Sequence, residues 1–209
     1  MVKEIRIYIE GGGDRGNTRA LLRKGFSGFL KDLRQIATSQ QIGWQIIMCG
    51  SRNDAFRNFK NALKDHPNAF NVLLVDSEAA VTTSTSPWKH LKSRDTWDSP
   101  IGVNDTHCYL MVQTMESWLI ADIDTLKKYY GQKFNENPIP KNPNVEQIDK
   151  NTLEQSLKTA TCKTSKGEYQ KIQHASQLLE MLNVAIVRNA SAHCDRLFTT
   201  LALKMGASI

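Results

Sequence analysis

The chain opens with alternation. Val2, Ile5, Ile7 and Ile9 are apolar, Lys3, Glu4 and Arg6 between them are charged, and the run stops at Glu10 and three glycines. A period of two ending in a glycine turn predicts a strand over Val2–Ile9 that delivers Glu10 to its carboxyl end. From Asn17 the period changes. Leu21, Leu22, Phe26, Phe29, Leu30, Leu33 and Ile36 recur at helical spacing, with Arg19, Arg23, Lys31 and Arg34 on other faces. This predicts one amphipathic helix that tolerates Gly25 and Gly28. Trp44–Cys49, an apolar run between glycines, predicts a second strand, and Asp54–Leu63 with Phe56 and Phe59 a second helix. Ala69–Val75 predicts a third strand stopping at Asp76. The order βαβαβ predicts an α/β fold with a parallel sheet, flanking helices and right-handed crossovers.

Residues 82–105 hold Thr-Thr-Ser-Thr-Ser-Pro and two tryptophans without a clear period, and read as a long excursion. Trp88 and Trp97 either stack on bases of a single strand or pack this loop onto the core. His107–Thr114 predicts a further strand and Met115–Tyr130 a helix, followed by a proline-rich connection over Asn135–Asn144. Gln147–Leu157, Glu168–Met181 and Arg196–Met205 carry helical patterns. The organisation expected is an α/β core over 1–130 and a helical C-terminal extension over 131–209 packed on it.

At 209 residues the chain has room for one sizeable core. Its apolar runs are strand-length, and the N-terminus runs into the first strand without a signal-peptide h-region, so no membrane partner and a cytoplasmic location are expected. The four cysteines, Cys49, Cys108, Cys162 and Cys194, form no CxxC pair and indicate neither a zinc ribbon nor a disulfide framework. A net charge of +6 favours a polyanion partner.

Acids stand at three strand ends. Glu10 closes the first, with Asp14 four residues on. Asp76 and Glu78 close the third, and Glu116 follows the His107 strand. In open parallel sheets ligands bind beyond the carboxyl ends of strands. Carboxylates gathered there repel one another unless a cation neutralises them, and hard oxygen ligands suit Mg²⁺ or Mn²⁺. The plain alternative is that each acid caps the helix that follows.

Glu10-Gly11-Gly12-Gly13-Asp14 followed by Leu73-Leu74-Val75-Asp76-Ser77-Glu78 resembles the Toprim fold of topoisomerases, primases and OLD-type (overcoming lysogenisation defect) nucleases. In that family a strand-end Glu precedes a glycine turn and a later strand ends in Asp-x-Asp, and the second acid at Asp14 is most similar to the OLD-type nucleases. Met115-Glu116-Ser117-Trp118, Ala190-Ser191-Ala192-His193 and Leu197-Phe198 look like a small Toprim-related family encoded beside ATPases in bacterial phage-defence loci. The resemblance implies a Toprim-like core in which Glu10, Asp14, Asp76, Glu78 and Glu116 hold one or two Mg²⁺ ions. It implies phosphodiester hydrolysis of DNA or RNA and an ATPase partner protein. Glu78 departs from the family's Asp, and its longer side chain suits binding through water.

For such chemistry Glu10 serves as ligand or general base, and a cation is wanted for the developing phosphorane charge, for which Lys166 and Lys171 are candidates. Arg15, Arg19 and Arg23 on the first helix, Arg52, Arg57 and Lys60 near the second, and His174, His193 and Arg196 on late helices are candidate phosphate contacts or ordinary structural groups. Two other readings stay open. One is a non-catalytic Toprim-like subunit that binds nucleic acid. The other is an NADP-binding oxidoreductase, because Gly11-x-Gly13-x-x-Gly16 formally matches the dinucleotide fingerprint and Arg52 is placed to accept a 2′-phosphate. No P-loop is present, and the sequence leaves a homo-oligomer open.

Overall fold

The computed structural model describes residues 2–13, 15–82 and 84–208. Strands β1 (Glu4–Ile9), β2 (Gly43–Met48), β3 (Phe70–Asp76) and β4 (Cys108–Met111) form one sheet in the order β2-β1-β3-β4, with every neighbouring pair parallel. The helices are α1 (Gly16–Phe29), α2 (Lys31–Ser39), α3 (Arg52–Asp65), α4 (Pro87–Asp95), α5 (Glu116–Ala121), α6 (Ile123–Tyr130), α7 (Lys150–Thr161), α8 (Gln173–Met181), α9 (Val184–Ala190) and α10 (Ala192–Lys204). The chain is therefore α/β, a parallel sheet flanked by helices with further helices at the C-terminal end.

Alternation along the strands divides the core in two. Ile5, Ile7, Ile9, Val72, Leu74, Tyr109 and Met111 face α1, α2 and the helices from α5 onward. Tyr8, Leu73, Val75, Cys108 and Leu110 face α3 and α4 through Phe56, Phe59, Trp88 and Leu91. Both faces of β3 are covered, which is why its seven residues are buried throughout and read as an unbroken apolar run. Trp88 and Trp97 pack within the second cluster, Trp97 stacked on Phe56 at 4.3 Å.

Gly25 and Gly28 have a packing reason. A β-carbon on Gly25 would lie 2.5 Å from the Ser176 carbonyl oxygen, and one on Gly28 2.9 Å from the Glu180 Cα, so these glycines let α1 and α8 approach backbone to backbone.

The structure departs from the periodicity at several points. The single helix expected from Asn17 to Ile36 is two, turning at Leu30 (φ −95°, ψ 17°), while the apolar stripe continues across the break through Phe29 and Leu33. The helix expected over Met115–Tyr130 breaks at Asp122, whose Oδ1 accepts the Thr125 N–H at 3.1 Å to start α6 and whose Oδ2 accepts the Asn183 N–H at 2.8 Å. The excursion at 82–105 contains α4, held by buried Trp88 and Leu91. The helix expected from Glu168 begins at Gln173, and within the helical extension α9 starts where the Asn183 side chain accepts the Ala185 N–H. Among the described residues no helix is long and apolar enough to cross a membrane.

Candidate metal centre

β1 leads to β2 on one side and the chain then crosses to β3 on the other, so the carboxyl ends of β1 and β3 border the crevice where strand order reverses. A turn of three glycines leaves β1 there. Gly11, Gly12 and Gly13 have φ of 122°, 87° and 58°, and Gly11 exchanges main-chain hydrogen bonds with Gly50 at 2.8 and 3.1 Å. A β-carbon on Gly12 would come within 2.9 Å of the Arg19 Cα, so both conformation and space demand glycine.

Glu10 sits at the mouth of this crevice. Its Oε2 accepts the Asp76 N–H at 3.2 Å and pairs with Arg52 Nη1 at 3.1 Å. Arg52 opens α3, which Ser51 caps by accepting the Asp54 N–H at 3.2 Å. Its Nε and Nη2 fork onto Asp95 at 3.0 and 2.7 Å, and Nη1 also donates to the Asp76 carbonyl. Asp76 ends β3 and is buried, with Oδ1 accepting the Met115 N–H at 2.8 Å and Oδ2 lying 4.0 Å from Lys171 Nζ. Glu78 adopts a left-handed backbone (φ 62°), donates its N–H to the Gln113 carbonyl at 2.8 Å and pairs through Oε2 with Lys150 Nζ at 2.5 Å. Glu10, Asp76 and Glu78 each offer a carboxylate oxygen within 4.8 Å of the others.

Glu116 heads α5 beside them. Its Oε1 accepts the Tyr169 hydroxyl at 3.0 Å and lies 3.7 Å from Lys171 Nζ, and its buried Oε2 has no partner among the described residues. A cavity of about 170 Å³ adjoins the group, walled by the glycine turn, Glu10, Asp76 and Lys171 and floored by Leu22, Met111 and Met115.

The charges are unevenly balanced. Burial, then repulsion from Glu10 and Glu116, holds the Asp76 carboxyl well above the usual carboxylate range. Burial also raises Glu10, against the pull of Arg52. Glu78 goes the other way: burial opposes its charge, but the hydrogen bond and charge of Lys150 keep it below its ordinary value. Lys171 loses some charge stability to burial and regains more from Glu116 and Asp76, so its amine is held protonated. Burial and the Glu116 charge keep the Tyr169 hydroxyl protonated and donating.

The structure thus brings together Glu10, Asp76, Glu78, Glu116 and Lys171. Asp14 lies outside the described residues. Arg15 is exposed at the start of α1, and Arg19 directs Nε to the Gly13 carbonyl at 3.0 Å on the rim of the turn. Arg52, read from sequence as a phosphate contact, is instead a largely buried counter-ion shared by Glu10 and Asp95, because three acceptors surround its guanidinium. The same engagement removes the group that a 2′-phosphate would need. Lys166 lies over the Tyr129 ring at 4.6 Å, and His174 accepts at Nδ1 from or donates to the Tyr130 hydroxyl at 3.0 Å. His193 bonds Glu146, and Arg196 donates to the Asp105 and Cys108 carbonyls. None of the contacts of these four residues involves the carboxylate cluster. Sequence reasoning missed Lys150, Asp95 and Tyr169, which reach the site from distant segments with no local motif to mark them.

The sequence model of the family described as Domain of unknown function (DUF4276) matches residues 9–202, and the chain belongs to that family. No curated protein and no solved structure matches it.

Proposed function

We propose that this member of the DUF4276 family is a divalent-cation-dependent phosphodiesterase acting on nucleic acid, a nuclease of the Toprim-like kind. The observation that carries the reading is the convergence of Glu10, Asp76 and Glu78 within 4.8 Å at the crevice where strand order reverses. The donor set fits Mg²⁺ or Mn²⁺. All three are hard oxygen ligands, and opposite oxygens of an octahedral Mg²⁺ shell stand ~4 Å apart, close to the spread observed. The unpartnered Oε2 of Glu116 and the raised Asp76 carboxyl both mark negative charge that the protein leaves incompletely neutralised.

Glu10, Asp76 and Glu78 would hold one ion, with Glu116 available to it or to a second. When bound, the ion supplies polarisation of a phosphoryl oxygen and a more acidic water. The chain's own groups do the rest. Lys171 presents a protonated amine to the phosphoryl oxygens, where charge grows in the transition state. Glu10, where it is not a ligand, takes the proton of the attacking water as a P–O bond to that water forms; the P–O ester bond breaks and the leaving oxygen takes a proton from solvent. The exposed Arg15 and the rim residue Arg19 lie on the path a polyanion would follow. An ATPase partner in a phage-defence system belongs to the reading through the Toprim resemblance alone.

A nicking assay on supercoiled plasmid and on tRNA, with Mg²⁺, Mn²⁺ or EDTA, tests it. Cleavage by the parent in metal is expected, falling by about a hundredfold or more in Asp76→Asn. Absence of cleavage under every metal refutes the enzyme. One observation favours a second reading, a nucleic-acid-binding subunit that does not cleave: Arg52, Lys150 and Lys171 already pair with the carboxylates. Its mark would be binding that survives EDTA with no cleavage in metal.

A further inference from the structure

A second built site stands apart from the carboxylate crevice, beside edge strand β4. We propose that the cleft between the start of α4 and the start of α10 binds the phosphate and sugar of a ribonucleotide, with His193 and Arg196 donating to the phosphate and Asp105 accepting from a ribose hydroxyl. The proposal does not rest on the nuclease reading.

The histidine comes first. Glu146, 4 % exposed, accepts from the Ser191 hydroxyl at 2.6 Å and the His193 N–H at 2.8 Å through Oε1, and pairs with His193 Nδ1 at 2.8 Å through Oε2. Burial opposes its charge, but these hydrogen bonds prevail and keep its carboxyl below the ordinary range. An ionised Glu146 makes Nδ1 a donor and fixes the ring, so Nε2 donates to a phosphate as the imidazolium, its second proton taken up together with the anion. His193 is only 6 % exposed, it lines the cleft, and its Nε2 makes no hydrogen bond among the described residues. A ring anchored at one nitrogen by a buried carboxylate, with the other left for a cleft, has the construction of a ligand-binding histidine.

The other walls supply complementary groups. Arg196 lies on the Tyr109 ring at 4.4 Å and donates to the Asp105 and Cys108 carbonyls at 3.1 and 2.5 Å, which fixes the guanidinium and leaves donors of its five unused. The nine-residue α4 begins at the same cleft without a side-chain cap or an acid in its first turn, because the Ser86 hydroxyl donates to Asp105 Oδ1 at 2.6 Å instead. Pro87, the first residue of α4, has no N–H, so the Trp88 and Lys89 amides are the uncapped donors at this helix start.

Asp105 decides the ligand class. Its carboxylate would repel a bare phosphate, whereas a ligand with a hydroxyl near its phosphate satisfies both signs, as a ribonucleotide does. The cleft volume, about 330 Å³, falls in the roughly 300–1,000 Å³ range of small-ligand sites. A free ribonucleotide and the phosphorylated end of an RNA chain share this chemistry.

Calorimetry on the full chain with adenosine 5′-monophosphate, a 5′-phosphorylated oligoribonucleotide and inorganic phosphate tests the proposal. His193→Asn is the informative variant, since Asn retains a donor where Nδ1 stood and deletes Nε2. Binding of the monophosphate or the oligoribonucleotide by the parent, at least tenfold weaker in His193→Asn and tighter than inorganic phosphate, is expected. Tighter binding of the oligoribonucleotide than of the monophosphate identifies an RNA end as the source. Should His193→Asn fail to fold, the parent's imidazole ¹⁵N spectrum replaces it, and a shift of the His193 Nε2 signal on adding the monophosphate is expected. No binding of either ribonucleotide by the parent, equal binding by the variant, or an unmoved Nε2 signal overturns the proposal.

Discussion

The carboxylate of Glu10 accepts the main-chain N–H of Asp76 at 3.2 Å. Strand pairing between β1 and β3 ends at Ile9 opposite Leu74, so beyond the ladder the two strand ends are tied by one of the groups that makes the crevice acidic. Fold and candidate site therefore share an atom. Glu10→Gln keeps an acceptor for that N–H and removes the charge, and should change stability by less than about 1 kcal/mol. Glu10→Ala leaves the N–H without its acceptor and should cost about 1–3 kcal/mol. Urea unfolding of both variants separates the two effects, and equal losses would contradict the tie.

Arg52 and Lys92 give a paired comparison. The Lys92–Asp98 contact is short, 2.6 Å, but its side chains are 56 % and 75 % exposed, so Lys92→Ala should cost no more than about 1 kcal/mol. Arg52 is 14 % exposed and serves Glu10 and Asp95 together. Arg52→Ala leaves the Glu10 carboxylate without its counter-ion and Asp95 with Arg94 alone, and should cost about 3 kcal/mol or more by denaturant melts.

Much of this arrangement was legible in the sequence, and the exceptions share a cause. Period-two alternation marked β1, the apolar run marked β3, and acids at strand ends marked Glu10, Asp76, Glu78 and Glu116, because strand-end position and glycine turns are local properties. The break at Leu30 was hidden because the apolar stripe runs on through Phe29 and Leu33. Helix α4 was hidden because its polar sequence is held by Trp88 and Leu91 against a core formed elsewhere. Arg52 looked like a free cation because its partner Asp95 lies 43 residues away. Lys150 reaches Glu78 across 72 residues. Pairing over such separations leaves no pattern in a single sequence.

Helix propensity and packing make opposite forecasts on α1. Alanine is favoured over glycine by about 1 kcal/mol inside a helix. At Gly16 no non-neighbouring atom of the described residues lies within 4 Å of an added β-carbon, and Gly16→Ala should be neutral or stabilising. At Gly25 the Ser176 carbonyl oxygen at 2.5 Å blocks it, so Gly25→Ala should destabilise by about 1–3 kcal/mol as α1 and α8 are pushed apart. Thermal melts of the two variants check the sign difference.

Asp76 also predicts a pH dependence. Its folded-state carboxyl is raised by burial and by Glu10 and Glu116, so above about pH 4 the folded chain holds a proton that the unfolded chain has released. Stability from this group is therefore full at lower pH and is lost as pH rises through the raised value. Asp76→Asn cannot lose it. In EDTA, the melting temperature of the parent minus that of Asp76→Asn should fall as pH rises from about 4, and a difference independent of pH would remove the charge argument.

The central claim is that Glu10, Asp76 and Glu78 hold a divalent cation. Calorimetric titration of Mg²⁺ and Mn²⁺ into the parent and into Asp76→Asn tests it without requiring a substrate. The account predicts saturable binding to the parent, weakened at least tenfold in the variant while its fold in EDTA is retained. A parent that binds neither ion, or a variant that binds them equally well, would contradict it and leave the three carboxylates as partners of Arg52, Lys150 and Lys171 alone.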